Sequence, residues 1–314
     1  MNTNEWMHLF VIIRKFPIRI FVYTYTMNNT PKIIFFGTPE FATDVLDTLE
    51  THALVPSLIV TTEDKPVGRK MILTSPPTKQ WADKRNIPTL QLRTLRTQES
   101  VDAISSHGPF DVGIVASYGK IIPQQVLDIP QRGMLNIHPS LLPKQRGASP
   151  IQSTILAGEP FGVSIILLDA DMDHGPLLAQ KTIPEDILPA LAYRDTAEKV
   201  LAREGADLLQ SVLPGWVAGT QSTTEQEHTL ATFCKKIEKQ DGEVHIETDD
   251  PYTIARKVRA FVGWPTVFFF TEHHNTRIRV QITKAHVEHG QLVITHVKPE
   301  GKKEMVYSDF LRGN

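Results

Sequence analysis

Short apolar runs, punctuated by glycine, proline and helix-capping residues, set the rhythm of the chain from residue 32 onward. Residues 32–36 (KIIFF) end at Gly37 and read as a buried strand. Thr38 is a good N-cap, Pro39 suits a first helical position and Glu40 complements the helix dipole. A helix is therefore expected through Phe41, Val45, Leu46 and Leu49, followed by a second β-rich run over residues 54–61. Strand, helix, strand is the opening of a parallel α/β sheet. The runs at 111–116 (DVGIVA), 134–137 (MLNI) and 162–168 (GVSIILL) are expected to extend it, with helices over 97–106 and 193–213.

The texture changes after residue 214. Residues 215–228 (GWVAGTQSTTEQEH) are polar, glycine-bearing and threonine-rich, and read as a linker. Beyond them lie β-rich runs at 266–270, 277–286 and 291–297, with one helical stretch over 251–261. Alternating short strands and tight turns point to a small β-barrel of the OB kind. The expected architecture is thus α/β: a Rossmann-like parallel-sheet domain over 27–214, the linker 215–228, and an OB-like β-barrel domain over 229–314. The first 26 residues stand apart. Their apolar stretches are broken by Arg14, Lys15, Pro17 and Arg19, are too short to cross a bilayer and lack the order of a signal peptide. Met27 stands just before a short polar spacer and the first strand, so residues 1–26 read as an extension upstream of the true start; the competing reading is a weak interfacial anchor. No membrane role is expected.

Composition narrows the classes without choosing among them. Of 314 residues, 41% are hydrophobic and 22% charged, the balance of an ordinary globular protein. The formal charge is −2, but residues 229–314 carry 13 Lys and Arg against 11 Asp and Glu, a slight lean toward an anionic partner. The single cysteine, Cys234, excludes an intrachain disulfide and a cysteine-based zinc site, and fits a reducing, cytoplasmic compartment. After the first strand, GTPEFA offers one glycine and then a proline; with no GxGxxG and no Walker loop, neither a dinucleotide nor ATP is indicated.

The densest cluster of chemistry is Asn136 to Pro150 (NIHPSLLPKQRGASP). Asn136 and His138 close an apolar strand and, by the two-residue pleat, share a face. An amide donor and an imidazole aimed together can bind an oxyanion and move a proton. The second cluster, Asp169-Ala170-Asp171-Met172-Asp173-His174-Gly175-Pro176, follows another buried run. Three aspartates so close repel one another unless something uses them. Calcium is not favoured, because the EF-hand spacing is absent. One of these aspartates is expected to face His138 and orient its ring.

NIHPSLLPKQRGASPIQ and LLDADMDHGPLL resemble the folate-dependent formyltransferases, in the form of those members that act on methionyl-tRNA. The similarity extends through FFGTPEFA, DKPVGRK, VASYGKIIP, ATFCKKIEKQDGEV, KVRAFVGWP and the terminal KPEGKKEMVYSDFLRG. The resemblance implies direct transfer of a formyl group from 10-formyltetrahydrofolate to the amine of methionyl-initiator-tRNA, with no metal and no permanently bound cofactor; a monomer is the default expectation. It places Asn136, His138 and Asp173 on the catalytic trio and Ser140, Leu141, Leu142 and Pro143 on the folate-lining segment; Asp169 and Asp171 are left to shape the loop. It also makes residues 64–79 a loop that approaches the tRNA acceptor end through Arg69, with Lys65 and Lys70 beside it. Lys235, Lys236, Lys239, Arg256, Lys257 and Arg259 form a cationic set suited to the tRNA backbone, near Phe261 and Trp264, which core packing would equally explain. Two departures stand out. GRKMIL carries one lysine where the family pattern carries more, and Lys144-Gln145-Arg146 replaces Arg, an aromatic and Arg. The first is expected to weaken electrostatic binding and the second to alter packing over the folate. The rival readings are a small-molecule amine formyltransferase and an inactive relative that only binds tRNA.

Overall fold

The computed structural model describes residues 30–68, 70–273 and 276–313. The readings of residues 1–26 and of Arg69 fall outside this range.

In chain order the first half contains β1 (Ile33–Gly37), α1 (Glu40–Thr51), β2 (Leu58–Thr61), β3 (Lys65–Val67), β4 (Ile72–Thr74), α2 (Pro77–Asp83), β5 (Thr89–Gln91), α3 (Gln98–Ser105), β6 (Val112–Ala116) and α4 (Gln124–Leu127). It continues with β7 (Met134–His138), β8 (Arg146–Gly147), α5 (Pro150–Ala157), β9 (Gly162–Leu167), β10 (Leu177–Thr182) and the long α6 (Arg194–Ala218). Seven strands form one sheet in the order β10-β9-β7-β6-β1-β2-β5. Strands β1, β6 and β7 are buried along their whole length, which is why their sequences are continuous apolar runs rather than alternating ones. Thr38 does not cap α1: the helix begins at Glu40 without a side-chain cap. Residues 54–57 also stay outside β2.

The pairing corrects one expectation. Strands β5, β2, β1, β6 and β7 are parallel, but β9 runs antiparallel to β7, with His138 opposite Ser164 and Leu135 opposite Leu167. Strand β10 is antiparallel in turn to β9. A strand buried on both faces reads the same in either direction, so the apolar run gave no warning. The direction matters, because the loop leaving β9 emerges beside the start of β7 and must fold back across the sheet to reach its end.

The two faces of β7 serve different cores. Leu135 and Ile137 join the apolar cluster beneath α1 and α6, whereas Met134 joins the smaller cluster on the opposite face. Asn136 and His138, at the same parity as Met134, lie on that second face. Helix α6 seats the strand from behind: a Cβ on Gly205 would lie 2.4 Å from Cγ2 of Ile137. The helix also runs on to Ala218, through Pro214, so residues 215–218 of the expected linker are its last turn. Gly219, at φ +74°, ends it in the left-handed conformation typical of a helix stop.

The expected loop over 64–79 is largely a β-hairpin, with β3 and β4 paired antiparallel. Its residues Val67, Met71, Ile72 and Leu73 are exposed. The second half holds β11 (Phe233–Cys234), α7 (Pro251–Ala260), β12 (Val267–His273), β13 (Thr276–Glu288), β14 (Gln291–Pro299), β15 (Met305–Val306) and α8 (Tyr307–Arg312). Strands β12 to β15 pair antiparallel in sequence order as a four-stranded sheet, so the part expected to be an OB-like barrel is an antiparallel strand domain. Register shifts near Lys284 interrupt the β13–β14 ladder, the kind of irregularity that curls a sheet. No helix among the described residues is long and apolar enough to cross a membrane.

Gly205→Ala is expected to lower stability by about 1–3 kcal/mol, because the added methyl overpacks against Ile137. Urea unfolding checks this; an unchanged midpoint would show that α6 does not seat β7.

Candidate active site

Asn136 and His138 are 9% and 4% exposed, and both side chains meet the Asp173 carboxylate. Asn136 Nδ2 donates to Oδ1 of Asp173 at 3.3 Å, and His138 Nδ1 lies 3.5 Å from the same oxygen. The other carboxylate oxygen accepts the backbone N–H of Gly147 at 2.8 Å. On the far side of the ring, His138 Nε2 lies 3.1 Å from the carbonyl of Gln145. Both ring nitrogens therefore face acceptors, and both can donate at once only when each carries a proton. The aspartate facing His138 is thus the third of the acidic cluster. Asp169 instead pairs with His174 at 2.8 Å and accepts the N–H of Asp171, shaping the loop.

Two residues of this centre are strained. Asp173 has φ +50° and Gln145 φ +60°. Such a left-handed conformation costs about 1–3 kcal/mol for an ordinary residue, less for aspartate, and persists only where its surroundings over-determine it. The return from β9 is just as confined: a Cβ on Gly175 would lie 1.8 Å from the Leu167 carbonyl oxygen.

The segment from Ser140 to Pro143 divides between inside and outside. Ser140 Oγ donates to Lys144 O at 2.7 Å, and Leu142 N donates to Ser164 Oγ at 3.1 Å. Gln180 Nε2 donates to Leu142 O at 2.7 Å. Ser140 and Leu142 are buried and fix the loop. Leu141 and Pro143 instead border an open cleft of about 270 Å³, together with Lys144, Gln145, Glu159 and Leu230. The unusual Lys144-Gln145 pair converges on Glu159, at 2.7 and 3.2 Å. Burial would raise the Glu159 carboxyl, but these two hydrogen bonds outweigh it and hold the group below the ordinary carboxylate range.

Other expected residues scatter. Lys65 and Lys70 are exposed on the β3–β4 hairpin. Lys235 is exposed and 3.0 Å from Asp241, and Lys236 is exposed beside it. Arg256 and Arg259, expected on the same cationic face, turn inward instead. Arg256 Nη1 donates to Leu156 O at 3.3 Å, at the end of α5, and its guanidinium lies against Gly158. The Arg259 guanidinium is pushed below its usual range, first by burial and then by Arg256, with Tyr193 opposing. A helix C-terminus attracts a cation, so the sequence spacing that put both on one helix face put that face against the first domain. Phe261 is buried and Trp264 exposed.

Sequence reasoning missed two contributors. Gln226 and Thr232 lie in or just after the expected linker yet bond to Asp173 and Gln145. A polar run of this kind carries no period that would mark them. Outside the site, Tyr118, after β6, packs edge-on against Phe36 with ring centroids 5.4 Å apart. Burial pushes its phenol up to about 12, so the hydroxyl stays protonated at neutral pH.

Comparison with known proteins fits this arrangement. The family described as formyl transferase matches residues 31–213, and the formyl transferase C-terminal domain matches 236–291. The chain belongs to the formyl transferase family. It is 42% identical to the methionyl-tRNA formyltransferase of Chloroflexus aurantiacus over 250 residues, covering 79% of this chain and 78% of that one. It is 36% identical to that of Herpetosiphon aurantiacus over 307 residues, covering 90% and 97%. Among solved structures, a 4-N formyltransferase from Francisella tularensis shares the fold with a TM-score of 0.60 at 17% identity, over 82% of this chain and 99% of that one. The methionyl-tRNA formyltransferase of Clostridium thermocellum does so with a TM-score of 0.54 at 16% identity, over 86% and 98%. In this formyl transferase, Arg256→Ala is expected to lower stability by about 1 kcal/mol through the lost helix-end contact. Denaturant unfolding tests that, and an unchanged stability would return Arg256 to the solvent-facing set.

Proposed function

We propose that this chain transfers the formyl group of 10-formyltetrahydrofolate to the amino group of methionyl-initiator-tRNA, acting as a cytoplasmic monomer. The convergence of Asn136, His138 and Asp173 at the end of β7 carries the reading, together with near-full-length similarity to methionyl-tRNA formyltransferases. Asn136 Nδ2 and His138 Nδ1 already lie within 3.5 Å of one oxygen, that of Asp173, and two donors that meet at one oxygen suit an oxyanion.

The methionyl amine attacks the formyl carbon, and the carbonyl pair moves onto oxygen. Asn136 and a protonated His138 stabilise that charge. The attacking nitrogen then loses a proton, N10 of the folate gains one, and the C–N10 bond breaks as the carbonyl reforms. Asp173 is the group placed to pass these protons, through water, and to hold the His138 ring. The folate lies on this reading toward the cleft beside Leu141 and Pro143. On this reading the β3–β4 hairpin, with Lys65 and Lys70, approaches the acceptor end, Lys235 and Lys236 meet the tRNA backbone, and Arg69 keeps its expected role toward the acceptor end.

The direct test is formylation of charged initiator tRNA beside charged elongator methionyl-tRNA, with His138→Ala as control. Strong formylation of the initiator, reduced about 100-fold or more in the variant, is expected. Formylation of a free amino sugar but not of tRNA would favour the small-molecule reading. Binding of tRNA with no transfer would favour the inactive relative. For the electrostatic part, Lys236→Ala is expected to reduce the salt slope of tRNA binding by about 1, and an unchanged slope would remove it from the interface.

A further inference from the structure

Residues 224–234, between α6 and α7, are pinned to the loops around the catalytic centre. Thr224 exchanges backbone hydrogen bonds with Leu177, both 2.8 Å. Gln226, buried at 4% exposure, uses every polar atom of its amide. Its Nε2 donates to the carbonyls of Asp173 at 2.9 Å and Gly175 at 2.7 Å. Its Oε1 accepts from Arg146 Nε at 3.2 Å and Nη2 at 2.7 Å. His228 adds a contact from Nδ1 to Arg146 Nη2 at 2.9 Å and stacks on His174 with ring centroids 4.1 Å apart. Thr232 Oγ1 accepts the N–H of Gln145 at 2.9 Å, and its carbonyl accepts that of Arg146, also at 2.9 Å. Strand β11 then pairs in parallel with β8, so closely that a Cβ on Gly147 would lie 2.3 Å from the Cys234 carbonyl oxygen.

These contacts fall on the two strained residues of the site. Asp173 carries the carboxylate that faces Asn136 and His138, and Gln145 supplies the carbonyl that faces the other nitrogen of His138. Each holds a left-handed conformation. Each is bonded by one side chain of the same strap, Gln226 in the first case and Thr232 in the second. We infer that Gln226 and Thr232 are positioning residues for formyl transfer: by holding Asp173 and Gln145 in their strained conformations, they set the His138 ring between its two acceptors. The inference rests on the proposed reaction. It makes the strap a mechanical continuation of the C-terminal domain into the catalytic centre.

Thr232 is exposed, so its side chain can be changed without opening the core. In the full-length protein, Thr232→Val removes the acceptor for the Gln145 N–H at nearly constant volume, and Thr232→Ser restores it. Gln226→Met removes the donor to the Asp173 and Gly175 carbonyls and leaves the Arg146 guanidinium only its contact with His228. Steady-state formylation is measured together with amide hydrogen exchange across residues 145–149 and 173–175. We expect Thr232→Val and Gln226→Met each to lower kcat about tenfold, with KM for both substrates within about twofold, and faster exchange in the two loops. Thr232→Ser should return kcat to near the wild-type value. Wild-type kcat and unchanged exchange in Thr232→Val would overturn the inference, even if Gln226→Met fails to fold. A rise in KM alone would also overturn it, making the strap part of binding. If the wild-type protein does not formylate methionyl-tRNA, the proposed reaction fails instead, and loop exchange still decides whether the strap holds the loops.

Discussion

One carboxylate organises the site. Asp173 is reached by the Asn136 amide, the His138 ring and the Gly147 N–H, which belong to a strand end and to the loop that follows it. A carboxylate withdrawn from water is tolerated when donors surround it, and here three converge. The burial of β7 and the packing of α6 against its back face hold two of those donors rigid. The third comes from Gly147, itself held against β11. Removing the carboxylate would leave donors from two separate elements with nothing to converge on, so the site's geometry and its local stability are the same interaction seen from two sides.

The need for strain follows from topology. Because β9 is antiparallel to β7, the acidic loop leaves the sheet beside Leu135 rather than beside His138. It has to double back across the face to bring its third aspartate to the end of β7. Gly175 permits the tight passage past Leu167, and the left-handed Asp173 completes the turn. The left-handed Asp173 is strained, and the hydrogen bonds of Gln226 to Asp173 and Gly175 lie where the turn needs support. A parallel β9 would have delivered its loop directly to the C-terminal edge and required none of this.

Much of this was legible in the residues. Strands buried on both faces announce themselves as apolar runs, and the pleat alone put Asn136 and His138 on one face. The resemblance of NIHPSLLP and DADMDHG to a known family picked Asp173 out of three aspartates, which the spacing could not. What stayed hidden depended on direction and on long-range partners. Strand direction leaves no mark on a fully buried run. The polar stretch TTEQEH reads as a linker because its hydrogen bonds go to residues about 50 to 80 positions away, and no local pattern encodes them. Ser140 and Leu142 show the same limit: a motif gives the neighbourhood, while packing decides which of its side chains face the cleft.

Charge was the least reliable guide. Arg256 and Arg259 have the spacing of a solvent-facing pair, yet both guanidinium groups sit between α7 and the first domain. Nothing in a local sequence says whether a cationic helix face meets water or the carbonyls at the end of another helix. On the proposed function this has a consequence for recognition. With those arginines turned inward, the exposed cations of the C-terminal set are mainly lysines, which act as point charges and do not grip a phosphate or base edge bidentately. Such a surface supplies salt-dependent affinity for any tRNA and little discrimination among them. On that reading, selection of the initiator has to be made elsewhere, at the β3–β4 hairpin proposed to approach the acceptor end. Affinity and choice would be divided between the two domains, and the strap that joins them passes directly beneath the reacting groups.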